Sequence, residues 1–271
     1  MIFNIHSHDN PVVKRVKQLH KKKYRTIYKQ YLVEGVRIIE DALTNHKEIR
    51  AVIFCDELYK TAGGESLLQK LEKKKIDVYC VPDKMFMELC DTQNPQGIIA
   101  VLPCEVYDLA HIIDKSNGFF IVLDRIQDPG NLGTIIRTAD AAGVDAVLMG
   151  KGCVDLYNAK TIRSTMGSIF HIPILALGTT EEIVRILKEK NVKIITTDLE
   201  TKEYYYEIDY TDKMALVVGN EANGVLPEVL VDSDHIIKIP MIGKAESLNA
   251  SIAASIVMYE AVKQRIKIRK F

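Results

Sequence analysis

The residues best suited to chemistry lie in three polar, glycine-bearing stretches, each following an apolar run. After Leu123 comes Asp124-Arg-Ile-Gln-Asp-Pro-Gly-Asn-Leu-Gly133. After Val218 comes Gly219-Asn-Glu-Ala-Asn-Gly224. After residues 235–239 comes Pro240-Met-Ile-Gly243, then Glu246-Ser-Leu-Asn-Ala-Ser251. Glycine lets a ligand approach the backbone, and a helix starting behind such a loop aims its unsatisfied N–H groups at the same place. Ser247 stands where a helix N-cap is expected, with a long apolar-periodic run behind it. Ala250, Ser251, Ala253, Ala254 and Ser255 are all small, so something approaches that helix closely. In the first stretch the apolar stripe Leu132, Ile135, Ile136 and Ala139 leaves Arg137 to face pocket or solvent. An arginine just behind a Pro-Gly-Asn loop suits an anion clamp. Glu221 can orient a donor, bind a cation or cap a turn. Taken singly, each loop reads equally well as a tight connection before a packed helix.

Those loops need elements to hold them. In the second half the apolar strand 119–123 is followed by strands at 145–149, 193–197, 214–219 and 235–239. Helices are expected at 132–142, 159–167 and 180–190. This alternation predicts an α/β domain with an open, mainly parallel sheet, whose ligands sit outside the carboxyl ends of the strands. Three polar loops from one edge of one sheet make one site. The first half reads as a smaller α/β unit. Its helices are expected at 12–28, 36–43, 67–75 and 83–90, and its strands at 31–35, 51–55, 76–81 and 97–102. The weakly periodic stretch 103–117 separates residues 1–105 from 118–271.

Composition narrows the function. The chain has 271 residues, 47% hydrophobic and 27% charged, as in ordinary globular proteins. It has no apolar run long enough for a transmembrane helix, and residues 1–10 lack the apolar core of a signal peptide, so a cytoplasmic, membrane-free protein is expected. Five scattered cysteines and seven scattered histidines give no metal-ligand or disulfide spacing. Neither a G-x-x-x-x-G-K-[ST] loop nor a G-x-G-x-x-G after a strand is present. Net charge is zero, yet residues 14–29 hold eight Lys or Arg and no acid, and Lys263, Arg265, Lys267, Arg269 and Lys270 make a second basic run. Lys14, Lys17, Lys21, Lys22 and Arg25 fit a nucleic-acid footprint, or equally a solvated helix face. Tyr24, Tyr28 and Tyr31 interleave with that charge; such rings stack on bases or cover a core.

Asp128-Pro-Gly-Asn-Leu-Gly-Thr-Ile-Ile-Arg-Thr-Ala139, Val218-Gly-Asn-Glu-Ala-Asn-Gly224, and Ile239-Pro-Met-Ile-Gly243 with Glu246-Ser-Leu-Asn-Ala-Ser251 and Tyr259-Glu260 resemble, in order, the three motifs of the SpoU family. These are the S-adenosylmethionine-dependent RNA ribose 2′-O-methyltransferases of the SPOUT superfamily. Leu32-Val-Glu-Gly35 and Thr92-Gln-Asn-Pro-Gln-Gly97 resemble the family's ribosomal-protein-like substrate-binding domain. The one departure is Ala222, where many members carry glycine.

The resemblance implies a trefoil-knotted catalytic domain and homodimerisation through that C-terminal domain; from the cysteine and histidine spacing no metal is expected. It implies that Gly219, Ile239, Met241 and Leu248 line S-adenosylmethionine, and that Asn131, Arg137, Glu221, Ser247 and Asn249 form the catalytic constellation, with Arg137 as base or as clamp. Arg163, in Ala159-Lys-Thr-Ile-Arg-Ser-Thr-Met-Gly167, becomes a further RNA-contacting candidate. The expected substrate is large-subunit ribosomal RNA, with transfer RNA as the alternative. Outside this reading stand a non-catalytic RNA-binding or ribosome-assembly protein and a small-molecule α/β enzyme.

Overall fold

A computed structural model describes residues 2–268, with side chains to residue 266. Two compact units divide the chain, residues 1–105 with 157–170, and residues 106–156 with 171–271.

The first unit contains β1 (Ile2–Asn4), α1 (Pro11–Leu19), α2 (Lys22–Tyr28), β2 (Gln30–Glu34), α3 (Val36–Thr44), β3 (Ala51–Phe54), α4 (Glu57–Lys60), α5 (Gly64–Lys73), β4 (Val78–Cys80), α6 (Asp83–Met87) and β5 (Ile98–Pro103). Its sheet runs β1-β4-β3-β5-β2, parallel from β1 to β3 and antiparallel beyond. One face is a core in which Val13, Val16 and Leu19 of α1 meet Ile53, Phe86, Ile99 and Val101. The helix expected across 12–28 is two helices. α1 ends at Leu19, Lys21 turns extended, and the buried Arg25 of α2 donates to the carbonyls of Leu19 and His20, both at 2.8 Å. The guanidinium thus satisfies carbonyl groups that a helix end leaves open.

The second unit contains α7 (Leu109–Ile113), β6 (Phe119–Leu123), α8 (Pro129–Ala141) and β7 (Ala146–Met149). The chain then contributes α9 (Ala159–Thr165) and a single 3-10 turn (Ser168–Phe170) to the first unit. It continues in the second with β8 (Ile174–Ala176), α10 (Thr180–Glu189), β9 (Lys193–Thr197), β10 (Glu203–Tyr204), β11 (Met214–Val218), α11 (Pro227–Val231), β12 (His235–Lys238) and α12 (Ala250–Ile268). Among the described residues the sheet is seven-stranded, ordered β10-β12-β9-β11-β6-β7-β8, with every pairing parallel. All five residues of β6 and of β11 are buried, as expected of central strands covered on both faces. Phe120, Val122, Ala215 and Val217 pack against α7, α10 and α11. α8 and α12 pack on one another and reach β7 and β11.

Two helix starts beside the polar loops differ from the sequence expectation. α8 begins at Pro129, because the Asp128 carboxylate accepts the N–H of Asn131 (2.8 Å) and proline suits the first helical position. α12 begins at Ala250, capped not by Ser247 but by Asn249, whose Oδ1 accepts the N–H groups of Ser251 (2.9 Å) and Ile252 (3.3 Å). Small residues of α12 let it pack closely: Ala250, Ser251 and Ala254 are buried, and Ser255 donates to Thr138 Oγ1 of α8 at 3.1 Å.

Candidate active site

Because every strand of the second sheet runs the same way, the ends of β6, β9, β11 and β12 open on one edge. Strand order also reverses here: the chain leaves β6 outward through β7 and β8, then returns on the far side of β11. Ligands of open α/β sheets bind in such a crevice. A cavity of about 480 Å³ lies beside that reversal, at the ends of β9, β11 and β12, in the usual range for small-molecule sites. Residues 197–200 and 219–224 line it, with Ile237, Ile239, Met241 and residues 246–248, and Ala250, Ala253 and Val257 of α12 close it. Gly219, Ile239, Met241 and Leu248 are all in that lining.

Three of the five expected catalytic residues form one hydrogen-bonded chain. Asn249 Nδ2 donates to Asn131 Oδ1 (2.8 Å), and Asn131 Nδ2 donates to Glu221 Oε1 (2.9 Å). Glu221 also accepts the main-chain N–H groups of Gln127 (3.2 Å) and Asp128 (3.1 Å). Burial pushes the Glu221 carboxyl up, but the Asn131 amide and these N–H groups outweigh it and hold the group below its usual value. Ser247 lines the cavity without joining this chain. Arg137 is exposed on α8, and its side chain makes no hydrogen bond or ion pair among the described residues. It follows Asn131 by six residues, which turns it about 120° away around the helix. One copy of the chain therefore does not bring Arg137 to Asn131 and Glu221.

The loop after β11 is held from below. Asn220 and Gly224 exchange backbone hydrogen bonds, both 3.0 Å, and Asn220 Oδ1 accepts the N–H groups of Ala222 and Asn223. Ala222 is not in the left-handed region, so it sits without strain where other members carry glycine. Gly219 has no such freedom: a Cβ there would stand 2.3 Å from the carbonyl carbon of Gly224. Asp124 and Arg125 brace the same loop, a role the sequence reading did not assign. The available signal was an acid directly behind a wholly apolar strand. The wall at Thr197, Asp198, Leu199 and Glu200 was also missed, although β9 was expected and its carboxyl end follows the same rule.

The first unit presents the basic residues unequally. Lys21 and Lys22 are exposed, and their side chains have no partner among the described residues. Lys14 pairs with Asp9 (2.8 Å), Lys17 with Glu88 (3.0 Å) and Arg163 with Asp91 (2.7 Å). Arg25 corrects the expectation: buried and bonded to the end of α1, it is not presented to a partner. The tyrosines are engaged too, Tyr31 stacking on Tyr157 at 4.3 Å and Tyr28 lying 3.6 Å beneath the Arg15 guanidinium. In the second unit Arg265 is tied to the carbonyls of Tyr210 and Asn117 (2.8 and 3.1 Å) and Lys263 to Glu260 (2.9 Å). The Lys267 side chain, Arg269 and Lys270 lie outside the described residues. Among the described residues no cluster of His, Cys, Asp and Glu is suited to a metal ion, and no helix is long and apolar enough to cross a membrane.

A parallel α/β sheet whose polar strand-end loops line one cavity, with an Asn–Asn–Glu chain beside it, defines a protein that binds a small ligand at the carboxyl edge of its sheet. The chain belongs to the SpoU rRNA methylase family: residues 118–259 match that family, and residues 10–100 match the MRM3-like substrate binding domain. It is 38% identical over 257 residues (94% of this chain, 97% of the relative) to the 23S rRNA (guanosine(2553)-2′-O)-methyltransferase RlmP of Bacillus subtilis. It is 30% identical over 257 residues (93% and 88%) to the 23S rRNA (uridine(2479)-2′-O)-methyltransferase of Streptomyces viridochromogenes. Among solved structures it resembles the AdoMet-bound rRNA methyltransferase from Sinorhizobium meliloti, with a TM-score of 0.86, 32% identity and 97% and 98% of the two chains covered.

Proposed function

We propose that this protein transfers a methyl group from S-adenosylmethionine to a ribose 2′-OH of large-subunit ribosomal RNA. The observation that carries the proposal is the Asn249–Asn131–Glu221 chain beside the cavity. The names of the two curated relatives supply the substrate class. Residues 1–105 bind the RNA, and residues 118–271, knotted as in the family, hold the cofactor and the chemistry. The protein works in the cytoplasm.

The cavity suits the cofactor. Ile237, Ile239, Met241, Leu248 and Val257 give it apolar walls, the 219–224 turn offers backbone polar groups, and Asp198, Glu200, Glu221 and Glu246 favour a cation. When bound, S-adenosylmethionine supplies an electrophilic methyl on a sulfonium, whose leaving group is neutral and needs no general acid. What this chain must add is alignment and charge placement. Glu221 and Asn249 between them fix both ends of the Asn131 amide, leaving the remaining N–H of Asn131 and of Asn249 as oriented donors for the ribose. Arg137 serves as the clamp rather than the base, because a guanidinium does not give up its proton in proteins. Unpaired and exposed, it is available to a ribose and its phosphate.

A homodimer through the second unit completes this reading. Ile252, Tyr259 and Ile266 of α12, spaced seven apart, are 49%, 51% and 47% exposed and form one apolar stripe. In a dimer, Arg137 of one copy serves the cavity of the other. Phosphate contacts fall to Lys21 and Lys22, with Lys14, Lys17 and Arg163 joining by exchanging their surface carboxylates. The test is transfer of labelled methyl from S-adenosylmethionine to total RNA separated by size. Label in the large-subunit RNA is expected; label in the transfer-RNA fraction alone would keep the chemistry and replace the substrate.

A further inference from the structure

Asp124 is a carboxylate with no exposed surface, standing directly behind β6. It is fully engaged: Thr180 Oγ1 donates to it at 2.7 Å, the Leu226 N–H at 3.0 Å, and Arg125 Nη2 at 3.0 Å. Arg125 then reaches onward. The same Nη2 donates to the carbonyl of Gly224 (3.1 Å), and the Arg125 carbonyl accepts from Asn220 Nδ2 (2.8 Å). The turn after β11 is therefore fixed at Asn220, Gly224 and Leu226 by two consecutive residues of another strand end.

Two further features show that the position is built around this side chain. Arg125 has φ 56°, in the left-handed region where glycine is the easy choice. Gly152 makes room for it, since a Cβ there would stand 2.9 Å from Arg125 Cγ. An arginine held in glycine's conformation, with its own clearance, is present for its guanidinium.

We propose that Arg125, anchored by Asp124, is a positioning residue that sets the floor of the cavity and the place of Glu221. It touches neither the proposed cofactor nor the RNA. It acts through the 219–224 turn, whose Gly219 and Glu221 lie on the cavity. A planar fork is required, because one nitrogen must serve the carboxylate and the Gly224 carbonyl while a second stays on the carboxylate; a lysine ammonium cannot hold that arrangement. This inference rests on the cavity being the S-adenosylmethionine site.

The experiment titrates S-adenosylmethionine calorimetrically into wild-type protein, Arg125→Lys and Arg125→Ala, and follows methyl transfer in the same preparations. Arg125→Lys retains a cation beside the buried Asp124 and is expected to fold. Its Kd for S-adenosylmethionine rises at least tenfold and its kcat falls. Arg125→Ala is expected to recover affinity when millimolar guanidinium ion is added, and not with methylammonium, a discrimination that a general loss of packing would not give. Wild-type affinity and rate in Arg125→Lys, or no preference for guanidinium in a folded Arg125→Ala, would overturn the proposal. A wild-type protein that binds no S-adenosylmethionine would overturn the functional reading itself, and this proposal with it.

Discussion

Asn131 has both ends of its amide committed, donating to Glu221 and accepting from Asn249. Asn131→Ala breaks both contacts, and a loss in kcat of about 100-fold or more is expected, the scale of removing one oriented donor from an active site. Arg137→Ala should abolish transfer while changing stability by no more than about 0.5 kcal/mol, because the side chain is exposed and unpaired. A kinetic assay run beside a thermal melt separates the two effects. Glu221 gives a pH prediction. Its folded value lies below the ordinary 4.5, so its ionised form contributes stability above that value, and the contribution is lost as pH falls through the lowered folded value. Urea unfolding of wild type and Glu221→Gln should therefore differ most near neutrality and converge only in acid. A difference that grows in acid contradicts the assignment. Asn131, Glu221 and Asn249 could be picked from the sequence by the motifs. Their mutual bonding could not, because Asn131 and Asn249 are 118 positions apart and meet only once α8 and α12 pack.

At the scale of elements, the loops depend on caps and close backbone approach. Asn249→Ala removes the N-cap of α12 as well as the bond to Asn131, so it should cost about 0.5–2 kcal/mol in addition to activity. Ser247→Ala should leave the helix intact, since Ser247 caps nothing, and chemical denaturation of the pair checks this. Gly219→Ala forces a methyl against the Gly224 backbone and should cost about 1–3 kcal/mol and weaken cofactor binding. The strands of the second sheet were largely legible because runs such as Phe119–Leu123 and Met214–Val218 are wholly apolar and suit only buried strands. β10, two residues long, and α11, five, carry too little periodicity to be read. The break at His20 in the first unit was hidden for another reason. Arg25 looks like surface charge in sequence and becomes a helix cap only through the fold around it.

For the whole molecule, formal neutrality conceals an uneven placement of charge. The first unit carries the unpaired lysines 21 and 22, and the second carries the carboxylates that line the cavity. Replacing Lys21 and Lys22 by alanine should weaken RNA binding and lower the slope of log affinity against log salt by about one per lysine, with S-adenosylmethionine binding unchanged. An unchanged slope would remove these lysines from the RNA surface. The central claim is most directly tested by mapping 2′-O-methylation on unmodified large-subunit ribosomal RNA after incubation with the protein and S-adenosylmethionine. A methylated 2′-oxygen cannot attack the adjacent phosphate, so the modified site resists alkaline cleavage. One discrete resistant position, absent with Arg137→Ala, is the predicted result. An unmodified ladder from protein that binds S-adenosylmethionine, or a resistant position that Arg137→Ala still produces at the wild-type rate, would contradict the account.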